Sequence, residues 1–129
     1  MTPSAAIGML DRLLAANGED IRLQRLTAGP GGAQIIFEVV CRASVKGVGA
    51  TELLGGLIQQ QSDVILSPTE IDRQGWPGPA TSAAAGIADR RIPVKGDRGV
   101  IKGRNRNVEF AHGKYIGGEL VRIDMRVSG

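Results

Sequence analysis

Side chains able to do chemistry are scarce in this sequence. Its 129 residues include one histidine, His112, and one cysteine, Cys41. That excludes an internal disulfide, a cysteine-built zinc cluster and a metal site built from several histidines. No G-x-S-x-G, H-E-x-x-H or G-x-x-x-x-G-K-[ST] pattern occurs. Gly47-Val48-Gly49 begins like a dinucleotide-binding turn, but Glu52 stands where the third glycine must be. His112 reads as a turn residue near a strand end. Cys41 falls on the apolar parity of its segment and reads as an inert small hydrophobe. Glu70 with Asp72, and Glu119 with Asp124, read as charges on wetted faces. The chain is therefore not expected to be an enzyme, and no cofactor or metal is expected.

Positive charge is the other chemical resource. The net charge of +3 is modest, but residues 89 to 106 hold seven Lys or Arg against Asp89 and Asp97. Lys102-Gly103 forms a basic turn flanked by Arg98, Arg104 and Arg106, a pattern found in small barrels that bind nucleic acid. Residues 90 to 106 contain no aromatic side chain, so the stacking platform that holds single strands is missing. Contact with duplex phosphates remains open to Arg98, Lys102, Arg104 and Arg106. The competing and preferred use is pairing with acidic groups such as Glu52, Asp63, Glu70 or Asp72 of a neighbouring subunit.

Hydrophobic patterning indicates the elements that position these groups. Ala5, Ile7, Met9, Leu10, Leu13 and Leu14 recur at helical spacing ahead of Asn17-Gly18, predicting an N-terminal helix over 4–16. Strands follow at 19–27 and 35–46; in the second, Phe37, Val39, Cys41, Ala43 and Val45 share one parity. Ser67-Pro68-Thr69-Glu70 has the form of a capping box opening a short second helix that Gly75 stops. Short strands at 100–101, 106–111 and 119–127 complete the pattern, the last with Val121, Ile123, Met125 and Val127 inward.

Two aperiodic stretches, 47–62 and 76–92, read as long inter-strand loops. The expected fold is mainly β: a single domain over 1–129, in which a small β-barrel with long inter-strand loops (18–129) carries an N-terminal helical arm (1–17) and a short second helix. Only four aromatics, Phe37, Trp76, Phe110 and Tyr115, are available to its core. A core this thin suggests further burial between subunits. No run approaches the roughly 18 to 20 apolar residues of a membrane span, and the N-terminus lacks a basic region followed by an apolar one. A soluble protein of a reducing compartment, with no membrane partner, is expected.

Several short stretches taken together carry a resemblance. They are Asn17-Gly18-Glu19-Asp20-Ile21-Arg22-Leu23-Gln24-Arg25, Val40-Cys41-Arg42-Ala43, Ile65-Leu66-Ser67-Pro68-Thr69, Trp76-Pro77, Lys95-Gly96-Asp97-Arg98 with Val108-Glu109, and Gly117-Gly118-Glu119-Leu120-Val121-Arg122-Ile123. From about residue 17 onward the chain resembles the small head-tail connector proteins of tailed bacteriophages, of the head-closure or stopper type. The resemblance implies a β-barrel whose copies form a ring, of about six or twelve, in the virion neck after synthesis in the host bacterial cytoplasm. It implies a portal or adaptor protein above, a tail terminator or tail tube below, and double-stranded DNA passing through. Glu52, Leu53, Gln59, Gln60, Gln61 and Trp76 are then candidate lumen or inter-subunit loop residues. A tail terminator or adaptor of the same neck, or a basic β-barrel binding nucleic acid as a free monomer, are the alternatives.

Overall fold

A computed structural model describes residues 1–52, 58–76 and 89–129. The first helix, α1 (Pro3–Asn17), starts where Thr2 accepts a hydrogen bond from the Ala5 amide at 3.1 Å and Pro3 occupies the first turn. It is followed by β1 (Glu19–Ala28), β2 (Gln34–Glu52), β3 (Ile58–Leu66), α2 (Pro68–Gln74), β4 (Arg98–Ile101), β5 (Arg104–Ile116) and β6 (Glu119–Ser128). The strands close into an antiparallel barrel in the order β1-β2-β3-β6-β5-β4. The mainly β barrel with two helices expected from the sequence is the observed architecture.

Strand alternation fixes the inside of the barrel. Ile21 and Leu23 of β1, Val39, Cys41 and Ala43 of β2, Val64 and Leu66 of β3, and Ile123, Met125 and Val127 of β6 form one buried cluster. Each strand turns one parity inward, so a one-residue slip would expose its whole set. Ile71 of α2 and Trp76 plug the barrel wall from outside the sheet and are also buried. Ser67 caps α2 by accepting from the Thr69 amide at 3.3 Å, and Gly75 ends it in the left-handed conformation with φ +65°. The β5–β6 turn is Gly117-Gly118 alone, with φ +57° and +82°, the glycine-favoured geometry of a two-residue hairpin.

Three expectations need correction. The stretch 47–62 is not a loop throughout: β2 runs to Glu52 and β3 begins at Ile58, paired from Gly47↔Ser62 to Glu52↔Ile58 across a bulge at Gly47/Gly49. Alternation fades where the ladder narrows: β3 pairs with β6 only as far as Gln61↔Ser128, and β2 pairs with β1 only as far as Ala43. His112 lies within β5 rather than at a turn, since the strand continues through Gly113 and Lys114. The apolar stripe of α1 is used in part: Leu14 is buried and Ile7 and Leu10 are half-buried, whereas Met9 and Leu13 remain 45% and 55% exposed. Of the second predicted loop, residues 77–88 lie outside the described residues.

Candidate functional site

The basic hairpin predicted from sequence is β4–β5, and its four side chains have different fates. Lys102, at the turn, pairs with Glu19 of β1 at 3.3 Å. Arg106 is half-buried; its terminal nitrogen reaches the Ser62 hydroxyl at 3.5 Å, and its Nε is buried with no partner among the described residues. Arg98 and Arg104 have no ionic partner among the described residues, and Arg104 is exposed. Lys102 and Arg106 thus have partners within the chain, whereas Arg98 and Arg104 have no ionic partner among the described residues.

The acidic groups expected to meet these cations in a neighbour are largely engaged within the chain. Asp63 holds Arg126 through two hydrogen bonds of 2.9 and 3.3 Å, raising the Arg126 guanidinium above its ordinary pKa. Glu70 holds Arg73 at 3.2 Å, and Asp72 holds Arg91 at 3.0 Å. Arg91 also binds Asp89 at 2.8 Å. Hydrogen bonding from Arg91 keeps the Asp89 carboxyl below the usual carboxylate range.

The candidate loop residues separate in the same way. Glu52 ends β2, and Gln59, Gln60 and Gln61 lie on β3; Leu53 lies outside the described residues. Trp76 lies in the core of its own chain: it is 3% exposed, and its indole N–H donates to the Phe37 carbonyl at 2.9 Å.

One cluster has no counterpart in the sequence reading. Arg25, 7% exposed, makes a two-pronged ion pair with buried Asp97, Nε to Oδ1 at 3.0 Å and a terminal nitrogen to Oδ2 at 2.8 Å. Its guanidinium also lies over the Trp76 ring at 4.9 Å. Asp97 further accepts from the Val94 amide at 2.9 Å, and its carbonyl accepts from Val108 at 3.1 Å. The cluster ties the 92–97 segment to β1 and β5. A signal was present, because Arg25 continues the inward parity of Ile21 and Leu23.

Catalytic geometry does not emerge from these groups. The Cys41 thiol is pushed up to about 12, chiefly by burial and then by Glu70 and Asp20, so it stays protonated at neutral pH and is a poor nucleophile. His112 is exposed and lies 3.7 Å from Asp124, a carboxylate shared with Lys114 at 3.5 Å and Arg122 at 2.8 Å. Among the described residues no three acidic, histidine or cysteine side chains are grouped to hold a metal ion.

No helix among the described residues is long and apolar enough to cross a membrane. No protein-family model matches the sequence, and no curated protein matches it. Among solved structures, a chain of the virion of a native gene transfer agent particle superposes with a TM-score of 0.48 at 14% sequence identity. The superposition covers 85% of this chain and 91% of that chain.

Proposed function

We propose that this chain is a structural virion protein of the tailed-bacteriophage type, forming a ring in the neck that joins the portal or adaptor to the tail and helps retain packaged DNA. The observation that carries the reading is the β2–β3 arm. Past Gln61↔Ser128 the ladder holds only these two strands, apart from the Gly129 amide donating to the Gln60 carbonyl at 3.2 Å, and an isolated two-stranded hairpin is marginal in water. A hairpin that runs on beyond the ladder of its own barrel is suited to meet another surface. The barrel interior is filled by side chains, and the described stretches that resemble head-closure proteins lie on β1, β2, the β3–α2 junction, the segment entering β4, β5 and β6. A free nucleic-acid-binding monomer has less support, since Lys102 is paired and Arg106 half-buried.

Particles assembled without this chain test the proposal. DNA-filled heads should accumulate unjoined to tails and should lose their DNA, and purified protein added back should restore joining. Normal tailed particles in its absence would overturn the reading.

A further inference from the structure

We infer that the open edge of β5 is a docking groove for the β2–β3 arm of a second copy of this chain. The inference rests on the ring reading above and names the surface through which the ring would close. β4 has four residues and pairs with β5 only over Arg104–Asn107. The Val108 amide is taken by the Asp97 carbonyl. From Glu109 to Ile116, β5 is paired with β6 along one edge; its other edge has no backbone partner among the described residues. Beside that edge runs a groove of about 460 Å³, with Ile92, Pro93 and Val94 on one wall and Phe110, Ala111 and Tyr115 on the other, and with Asp89, Lys95, Glu109 and His112 also in its lining. Phe110 and Tyr115 are 51% and 48% exposed. An unpaired strand edge flanked by apolar walls is how an extended segment is taken up as an added strand, and an uncovered edge invites such pairing.

The arm supplies the matching edge. β2 pairs with β1 only as far as Ala43, while its pairing with β3 continues to Glu52. Ser44 to Glu52 therefore present a second open edge, similar in length to the one on β5. Residues 47–61 contain a single charged residue, Glu52, so an added strand drawn from them brings almost no charge of its own against Phe110, Tyr115 and Ile92. The two edges differ in sequence, so their contact is heterologous and propagates from copy to copy. They also lie at opposite ends of the barrel: the arm leaves at the end holding the Lys102-Gly103 turn, whereas the β5 edge runs down to Gly117-Gly118. Head-to-tail copies each place an arm against the next groove.

Two complementary variants test this. In one, residues 50–60 are replaced by the turn dipeptide Asn-Gly, leaving Gly49↔Gln61 and the pairs below it intact. In the other, Phe110→Glu and Tyr115→Glu charge the groove wall. Sedimentation from about 1 µM to about 1 mM should show wild-type association and two monomeric variants. Their equimolar mixture should give a heterodimer and nothing larger, because one arm and one groove remain. A mixture that stays monomeric while the wild type associates overturns this interface and leaves the ring reading standing; a wild type monomeric throughout overturns both. Hydrogen exchange on the wild type gives a readout independent of variant folding. Amides of 44–52 and 109–116 should gain protection together as concentration rises, and β5 protection already complete on dilution would mean that the edge is covered from within the same chain, overturning the inference.

Discussion

Arg25 and Asp97 show how single residues shape this molecule. Both are nearly excluded from solvent and each is the other's main partner, so removing one leaves the other charged and unpaired in the core. Such a loss costs about 3–5 kcal/mol, a large share of the roughly 5–15 kcal/mol by which a domain is stable. Asp97→Ala should lower the denaturation midpoint accordingly, and Asp97→Asn, which can still accept from Val94, should cost less; equal losses in urea titrations would contradict that ordering. Cys41 makes a pH prediction. The unfolded thiol releases its proton near 9.0, whereas the folded one retains it to about 12. Between those values unfolding releases a proton, so stability should fall as pH rises from about 9 and stop changing through this group above about 12. Cys41→Ala should flatten that part of the stability profile, and a thiol reagent at pH 8 should label the wild type only after denaturant is added.

At the scale of elements, the join between α1 and β1 is set by close approach. A Cβ on Gly18 would lie 2.6 Å from the Leu14 carbonyl oxygen and 2.7 Å from that of Ala43, both backbone atoms. The Gly18 amide meanwhile donates to Leu14 at 2.8 Å. Gly18→Ala must push the helix away from β2, costing about 1–3 kcal/mol as overpacking does and loosening the contacts through which Arg42 donates to the Leu14 and Ala15 carbonyls. Melting by circular dichroism checks this; an unchanged midpoint would show that the junction yields freely. Gly18 is readable from sequence as a helix stop, but Ala43 as the reason is not. That contrast holds more widely. β6 and the first half of β2 were legible because one face meets the core and alternates with it. The arm was not, because its residues, four of them glycines between Gly47 and Gln61, carry no alternation, and the stretch read as a loop. The basic hairpin was legible as a charge cluster. Which of its side chains are spent internally was not, because Glu19 and Ser62 come from distant strands brought alongside only by barrel closure.

For the molecule as a whole, the distribution of charge separates surfaces built for protein contact from one suited to a polyanion. Residues 47–61 carry one charged residue, Glu52, while Arg98 and Arg104 stand beside the Lys102-Gly103 turn without ionic partners among the described residues. The pairing of these arginines with a neighbour's Asp63, Glu70 or Asp72, favoured from sequence alone, loses force because each of those carboxylates already holds an arginine of its own chain. Phosphate contact then becomes the stronger expectation. Arginines that touch phosphates without reading bases add affinity that decays with salt, about 0.9 in log-log slope per phosphate neutralised on duplex DNA. Arg98→Glu with Arg104→Glu leaves Lys102–Glu19 and the half-buried Arg106 untouched, so the barrel should fold and associate as the wild type does. The expected result is particles with normally joined heads and tails but altered DNA retention, and a salt slope for DNA binding by purified protein that falls by about 2. Loss of head-tail joining with the slope unchanged would return these arginines to the subunit interface and remove DNA from their role.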